Sequence, residues 1–171
     1  MSVPKEPTKA KLVISFISSS EELINSCIEA VAKEYSAPDF VSGFLDFEHT
    51  HYYEEELGDG LKRRFAAFTD LFDRDDLVDV KKFTNALEVE SSVDDKRRIN
   101  IDPGFLSVEN FILATGKNFT HRVYMRDGIY ADLTLIFTKN DFCELDWTYP
   151  DYKGRDIKDM LIKIRTAAFL V

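Results

Sequence analysis

Apolar positions in the first part of the chain form one unbroken run and then recur at helical spacing. Residues 12–18 are an apolar run between polar flanks, which predicts a buried strand. Ser19 and Glu22 form a capping box, and the apolar spacing behind it predicts a helix that ends near Tyr35. A second strand candidate follows at 40–47.

The middle of the chain predicts a strand, a helix and then shorter elements. The stretch 61–72 carries aromatic residues at both helical and alternating spacing. We predict a strand, because Asp73 then serves as the N-cap of a helix that ends near residue 90. A short strand, 99–101, leads into a turn at 102–104. A further helix is predicted over 107–116, with glycine as its C-terminal residue.

The C-terminal third predicts a three-stranded antiparallel meander with one apolar face. A three-residue loop at 126–128 aligns the apolar positions of the first two strands, whereas a two-residue loop would scatter apolar and charged groups over both faces. The same logic predicts a three-residue loop at 139–141, with Phe137 facing Cys143. An amphipathic helix, 157–168, would cover the apolar face.

The order of these elements predicts the fold class. The first six match a ferredoxin-like split βαβ unit, so we predict an α+β fold with a ferredoxin-like βαββαβ core. This core is extended by the three-stranded antiparallel meander and a C-terminal helix. The chain has 171 residues and no visible linker or repeat, so we expect a single domain over 1–171.

The net charge and the two cysteines exclude several classes of partner and of structural site. The net charge of −9 repels nucleic-acid phosphates and anionic lipid, so we expect no bulk nucleic-acid binding and no membrane binding. Cys27 and Cys143 lie too far apart for a cysteine-based zinc motif and are too few for a disulfide framework. The run 12–17 is too short to span a membrane, and we expect a cytoplasmic protein. The apolar tail, 167–171, is either the docked end of the last helix or part of a homodimer contact.

Known catalytic and metal-binding motifs are missing from the sequence. Residues 115–117 resemble the end of a P-loop, but Phe111 occupies the position of the first glycine. His49 and His51, followed by three glutamates, are the best candidates for metal ligands. Two histidines in a polar stretch do not make a site, so we predict no metal. The sequence identifies no cofactor.

Polar residues of the predicted meander offer a different kind of chemistry. His121 falls on the apolar face, where a histidine is more often a hydrogen-bonded core residue than a general acid–base catalyst. Its neighbour Arg122 must point to the opposite face of an extended strand, so we do not expect the two to serve one site without a bulge. Arg122 faces Asp132 across the strands, which is first of all an ordinary ion pair.

Basic and aromatic residues are concentrated in the second half of this acidic chain. The basic cluster comprises Lys96, Arg97, Arg98, Lys117, Arg122 and Arg126, with Tyr124 and Tyr130 among them. Basic groups beside tyrosine hydroxyls suit an anion, a phosphate in particular, although 96–98 on its own is also typical of a solvated turn. The segment 147–152 packs three aromatics and a carboxylate around a proline, and it either lines a pocket or fixes the last helix.

Five segments carry a family resemblance. They are Tyr52–Gly58, Lys96–Gly104, Ala114–Tyr124, Gly128–Tyr130 and Trp147–Tyr152. Together they resemble the bacterial family catalogued as domain of unknown function 4416. This resemblance covers nearly the whole chain and implies a stand-alone bacterial cytoplasmic domain, but it implies no activity. The matching positions are polar more often than a core requires, and His49 and His51 lie outside the pattern.

We therefore expect an uncharacterised cytoplasmic protein that binds a small phosphorylated ligand, with nucleotides among the candidates, in a basic, tyrosine-rich pocket. The residues expected to bind the ligand are the cations Arg98, Lys117 and Arg122, the tyrosines Tyr124 and Tyr149, and Asp151. His121 and Asp102 are the candidates for proton transfer. The alternative is a non-catalytic regulatory or protein-interaction module that acts as a homodimer. The sequence does not decide whether the protein is an enzyme.

Overall fold

The computed structural model describes residues 1–47 and 54–169 of the chain, and His49 and His51 lie outside them. Its strands are β1 (Ala10–Ser18), β2 (Pro38–Val41), β3 (Leu45–Asp46), β4 (Lys62–Phe72), β5 (Asn100–Leu106), β6 (Asn110–Thr115), β7 (Arg122–Arg126), β8 (Ile129–Thr138) and β9 (Asp141–Glu144). Its α-helices are α1 (Glu21–Glu34), α2 (Glu54–Leu57), α3 (Leu77–Glu90) and α4 (Arg155–Phe169). Single 3₁₀ turns occur at Arg74–Asp76 and Pro150–Tyr152.

All of these strands join one antiparallel sheet, which confirms the predicted α+β class. The strand order is β2-β4-β1-β5-β6-β8-β7, with β3 also paired to β4 and β9 also paired to β8. The two longest non-local pairings join β1 to β4 and to β5. The first strand of the chain therefore lies in the middle of the sheet.

Helices cover both faces of β1, and every residue of this strand is buried. On one face, Leu12 and Phe16 share a core with apolar side chains of α1 and α3. On the other face, Val13 belongs to a core that includes Leu161 of α4. Because both faces are covered, β1 is a continuous apolar run, as predicted, and does not alternate between apolar and polar residues.

The helices begin close to their predicted N-caps. Ser20, one residue after the predicted Ser19, caps α1 by accepting a hydrogen bond from the backbone N–H of Leu23 at 3.2 Å. Asp73 and Asp76 form a reciprocal capping box ahead of α3. The predicted strand between these helices is confirmed as β4, and Cys27 is buried on α1 as expected. Within the described part of the chain, no helix has the length and apolarity to span a membrane.

The predicted turn at 102–104 and the predicted helix at 107–116 are both wrong. The chain is extended from Asn100 to Leu106 as β5 and again from Asn110 as β6. Ser107 is the residue that decides the local structure. Its hydroxyl accepts hydrogen bonds from the backbone N–H groups of Glu109 and Asn110, so it closes a hairpin turn and does not start a helix.

Strands β5 and β6 pair over a short stretch and then separate. The pairing runs from Leu106 opposite Phe111 to Gly104 opposite Leu113. Before Gly104, the described partner of β5 is β1, and beyond Leu113 the described partner of β6 is β8. Pro103 stands where the ladder ends, and a proline has no N–H with which to extend one. We call the space between the separated strands the split.

The first hairpin of the meander keeps its predicted register but has a different loop. Val123 lies opposite Ala131, as predicted. The loop has two residues, Asp127 and Gly128, with positive φ angles of 53° and 77°. A register shift at Met125 places one extra residue in β7, whereas the prediction placed that extra residue in the loop. The predicted three-residue loop is therefore wrong.

The second hairpin departs from its predicted register by one residue. Phe137 lies opposite Phe142, and the predicted pairing with Cys143 is wrong. The loop consists of Lys139 and Asn140, both left-handed with φ angles of 51° and 62°, as a two-residue turn requires. This register buries the Phe142 ring in the core beneath α4.

Candidate functional site

The split opens into a cavity of about 850 Å³. Its walls come from α3, from the start of β5, from the end of β6 with the turn after it, and from the segment before α4. The charged residues of the lining are Lys81, Glu88, Arg97, Asp102, Lys117, Asp132 and Asp151. A concave space of this size, with polar groups converging on it, is typical of a small-molecule site.

Two buried charged residues of α3 complete the backbone hydrogen bonds of β5 beside the cavity. The Lys81 ammonium donates to the carbonyl oxygen of Ile101 at 3.0 Å, and a Glu88 carboxylate oxygen accepts from the Ile101 N–H at 2.6 Å. These side chains satisfy backbone groups of β5 over the part of the strand that β6 leaves unpaired. Burial raises the pKa of Glu88, with Lys81 acting in the opposite direction.

Arg97 ties the helix α2 to this wall. Its guanidinium donates two hydrogen bonds to the Glu56 carboxylate, both at 2.6 Å, and a third to Glu88 at 3.2 Å. The bidentate contact lowers the pKa of Glu56. Arg97 is therefore already neutralised by two carboxylates and serves mainly to fix the wall.

Asp102 is the carboxylate of β5 that faces the cavity. One of its oxygens accepts a hydrogen bond from the side-chain amide of Asn100 at 2.6 Å, and the other lies 3.8 Å from the Lys81 ammonium. The side chain is 32% exposed. Asp102 thus combines a fixed orientation with open access to a ligand.

A buried arginine holds the opposite wall in place. Arg63 is 4% exposed, and its guanidinium donates to Asp151 at 2.7 Å and to the Ser15 hydroxyl at 2.8 Å. It also lies over the rings of Phe65 and Tyr152, at 4.4 and 4.7 Å from their centroids. The Tyr152 hydroxyl is buried and has no hydrogen bond of ordinary geometry to the described residues. The ion pair fixes the segment that carries Asp151.

Arg122 lies outside the cavity lining and forms hydrogen bonds to three residues that belong to it. Its guanidinium donates to Asp132 at 2.8 Å, to the Lys117 carbonyl at 2.9 Å and to the Tyr149 hydroxyl. Asp132, 2% exposed, is the carboxylate predicted to face Arg122, and that pairing is confirmed. Arg122 does not belong to the lining, so it acts as a clamp that sets the positions of lining residues.

Tyr149 keeps its own proton while it accepts from Arg122. Burial raises the pKa of the Tyr149 hydroxyl, so the group is a neutral phenol at physiological pH. Because its oxygen accepts the hydrogen bond from Arg122, its hydrogen can be donated to another acceptor. A ligand oxygen in the cavity is one such acceptor.

His121 shares the Asp132 carboxylate with Arg122. Its Nε2 lies 3.1 Å from the same carboxylate oxygen, and its ring stacks on Trp147 with centroids 4.9 Å apart. The interpretation that His121 and Arg122 point to opposite faces of a strand is therefore wrong, because both side chains reach Asp132. His121 lies in a turn closed by a hydrogen bond from Arg122 N–H to the Phe119 carbonyl, so strand alternation does not apply.

The structure brings part of the predicted site together. The predicted residues that line the cavity are Asp102, Lys117, Tyr149 and Asp151. His121 and Arg122 adjoin them through Asp132. Arg98 is exposed and contributes its backbone carbonyl to a hydrogen bond from Ser18, while Tyr124 is exposed on β7 and packs edge-on against Tyr130. These last two predicted residues lie apart from the cavity lining.

Several residues of the site were not predicted from the sequence. Lys81 and Glu88 lie seven residues apart on the apolar face of α3. Two charged residues on a buried helix face are the sequence feature that could have identified them. The sequence places Arg97 in a basic cluster with its neighbours, and it predicts Asp132 as half of a surface or half-buried ion pair. Nothing in the sequence indicates that Arg63 belongs to the site, because the residue pattern of its strand does not show which carboxylate it pairs with.

Within the part of the chain that the structure describes, no cluster of three or more histidine, cysteine, aspartate or glutamate side chains is arranged to hold a metal ion. Four carboxylates line the cavity, those of Glu88, Asp102, Asp132 and Asp151, and each has a cationic partner.

Comparison with known proteins gives one match. A family model described as "Domain of unknown function (DUF4416)" matches residues 8–167 of the chain, which confirms the resemblance seen in the sequence. No curated protein and no solved structure matches.

Proposed function

We propose a function from one premise: the chain belongs to the DUF4416 family, a domain of unknown function, so the geometry of the cavity is the guide to its ligand. We propose that the cavity in the split binds a small phosphorylated ligand, with nucleotides among the candidates. One observation carries the proposal. A single concave space joins Lys117 and the Tyr149 hydroxyl with carboxylates on the facing walls.

The anion would bind at the Lys117 end of the cavity. Arg122 donates to both the Lys117 carbonyl and the Tyr149 hydroxyl, which places these two lining residues next to each other. A lysine ammonium and a phenol O–H are both donors that suit a phosphate oxygen. The Arg122 guanidinium adds positive charge behind them, although Asp132 neutralises part of it.

The rest of the cavity suits a ring of moderate size. Its volume of about 850 Å³ is within the usual range for small-molecule ligands. Tyr149 belongs to the lining, and an aromatic ring of this kind can pack against a sugar or base ring. A phosphate group with an attached ring therefore fits both ends of the site.

For proton transfer, Asp102 is better placed than His121. The Asp102 carboxylate lines the cavity and is partly exposed to it. His121 reaches the cavity only through its contact with Asp132. Of the two groups selected from the sequence, we therefore propose Asp102 as the acid–base group and His121 as a residue that orients Asp132.

A thermal-shift and calorimetric screen with inorganic phosphate, nucleotides and sugar phosphates tests the proposal. A ligand present at about 100 times its Kd should stabilise the fold by about 2.7 kcal/mol, which raises Tm by about 5–10 °C. Lys117→Ala should abolish the shift. Lys163→Ala, an exposed lysine on α4, is the matched control and should retain it. A shift of equal size in both variants, or no shift with any phosphate compound, contradicts the proposal.

A second candidate is an interaction module that acts as a homodimer. Strand β7 is at one end of the sheet, and its Val123 and Tyr124 are 68% and 59% exposed. Apolar side chains on an edge strand favour pairing with another chain. Analytical ultracentrifugation of the protein and of Val123→Lys distinguishes the two functions. A dimer that is lost in this variant, together with no binding of any phosphate compound by the parent protein, supports the module.

We also infer a ferredoxin-like unit within the sheet and a cytoplasmic location. The order β5-β1-β4-β2, antiparallel throughout, with α1 and α3 on one face, supports the ferredoxin-like assignment. Few and widely separated cysteines, one of them buried, support the location. A crystal structure tests the first inference, and fractionation of cells that express the tagged protein tests the second.

A further inference from the structure

We propose that the ligand is polyhydroxylated and that the carboxylates of Asp102 and Asp151 accept hydrogen bonds from its hydroxyl groups. This inference rests on the proposed function, since it names the class of ligand for the same cavity. Sugar phosphates and ribonucleotides belong to this class, and simple phosphate anions do not.

The charge of the lining does not suit a ligand that is only an anion. Four carboxylates line the cavity, those of Glu88, Asp102, Asp132 and Asp151, against the three cations Lys81, Arg97 and Lys117. A phosphate at one end therefore leaves most of the carboxylates facing another part of the ligand. That part must offer hydrogen-bond donors, because an ionised carboxylate can only accept.

Hydroxyl groups of the ligand are better donors to these carboxylates than a cationic amine would be. Each carboxylate of the lining already has a cationic partner on the protein, the pairs being Arg97–Glu88, Lys81–Asp102, Arg122–Asp132 and Arg63–Asp151. The positive charge opposite each carboxylate is therefore already supplied by the protein. A hydroxyl group then adds a charge-assisted hydrogen bond without adding a further charge.

Both proposed acceptors have an oxygen available. The described hydrogen bond to Asp102 goes to Oδ2, and its Oδ1 lies 3.8 Å from the Lys81 ammonium, beyond hydrogen-bond distance. The described hydrogen bond to Asp151 likewise goes to Oδ2, from Arg63. Because a carboxylate offers about four acceptor positions, each residue retains capacity for a ligand hydroxyl.

The two carboxylates also come from different walls of the cavity. Asp102 is on β5 at one side of the split, whereas Asp151 is in the 3₁₀ turn before α4. Lys117 follows the end of β6 on the other side of the split. A ring that carries a phosphate at Lys117 and hydroxyl groups at other positions can therefore contact all three walls at once.

Isothermal titration calorimetry with pairs of compounds that differ in hydroxyl groups alone tests the inference. The pairs are ribose 5-phosphate with 2-deoxyribose 5-phosphate, and AMP with 2′,3′-dideoxy-AMP, and ribose and inorganic phosphate complete the panel. We expect the hydroxylated member of at least one pair to bind about tenfold tighter or more. That preference should disappear in Asp102→Ala and persist in Asp70→Ala, which changes an exposed aspartate of β4.

The panel separates failure of this inference from failure of the proposed function. If both members of each pair bind equally and both are lost in Lys117→Ala, the phosphate site stands and the polyhydroxyl inference is overturned. If ribose binds in an Asp102-dependent way while no phosphate compound does better, the hydroxyl contacts stand and the phosphate proposal is overturned. No binding by any member of the panel overturns both. A melting curve of each variant checks that the fold is intact.

Discussion

The pairing of β1 with β4 and the pairing of β5 with β6 are both antiparallel, but the first lies in the core and the second opens into the cavity. Strand β1 pairs with β4 from Ala10 opposite Phe72 to Ser18 opposite Lys62, and helices bury both faces. On the far side of β5, pairing with β6 stops at Gly104, and charged side chains occupy the place of further ladder bonds. Pairing that continues past a single register shift, with apolar side chains on both faces, gives stability, whereas interrupted pairing gives a polar cavity with a rigid frame. The comparison predicts that substitutions have different effects in the two regions.

The largest effect is expected in the apolar region around β1. Phe16→Ala removes a fully buried ring of β1 and leaves a void, so the free energy of unfolding should fall by about 3–5 kcal/mol. Phe119→Ala, at an exposed position, should change it by less than about 0.5 kcal/mol. Urea denaturation followed by circular dichroism measures both. Similar losses in the two variants would contradict the assignment of the core.

The second effect compares two ion pairs on neighbouring residues of β4. Asp151→Ala leaves the Arg63 guanidinium buried without its carboxylate and should cost about 3 kcal/mol. Asp46→Ala removes the exposed partner of Lys62, and its effect on the free energy of unfolding should be much smaller.

A double variant checks that the buried charge is the cause. Arg63→Met combined with Asp151→Ala should recover most of the lost stability, because no unpaired guanidinium remains. A double variant less stable than Asp151→Ala alone would indicate that the ring contacts of Arg63, not its charge, carry the effect.

A smaller effect is expected where the ladder ends. A Cβ atom at Gly104 would lie 2.6 Å from the Phe111 ring, so Gly104→Ala should lower the free energy of unfolding by about 1–3 kcal/mol. Gly43→Ala, with nothing within 4 Å of the added atom, is the control. Adding Phe111→Leu to Gly104→Ala relieves the contact and should reduce the loss, as measured by thermal denaturation.

The smallest effect is the pH dependence of stability that arises from Glu88, in the wall of the split. The pKa of Glu88 is raised in the folded state above its ordinary value of 4.5, so the folded protein holds this proton more tightly than the unfolded chain. The contribution of Glu88 to stability therefore falls as pH rises from about 4.5 through the folded pKa. Glu88→Gln lacks this loss, so its stability relative to the parent should increase with pH. Urea titrations from pH 4 to 7, with the exposed Glu90→Gln as control, measure the difference.

Long elements with a clear period could be predicted from the sequence, and short ones could not. Strand β1 and helix α4 carry enough apolar positions to fix their type and their buried faces. The run at 110–115 is too short for its apolar spacing to distinguish a strand from a helix. Ser107 gave a misleading signal, because the same side-chain capping that starts a helix also closes a turn.

The candidate site could be predicted in part for a similar reason. Lys117, Tyr149 and Asp151 are polar residues near turns, where sequence patterns already suggest exposure and function. Asp102 was selected from a predicted turn, although it lies within β5. Lys81 and Glu88 act through backbone groups of β5, and that contact depends on tertiary packing alone. Their role becomes visible only once the split is known.

The central position of β1 has a consequence for the order of events during synthesis. Lys11 lies opposite Leu71 on one side and Leu106 on the other, so the first strand to leave the ribosome waits for partners far along the chain. At about 5–20 residues per second, β4 follows roughly 3–12 seconds later and β5 roughly 5–19 seconds later. Until β4 emerges this apolar strand has two open edges, and until β5 emerges it has one, which is the condition in which nascent chains aggregate or bind chaperones.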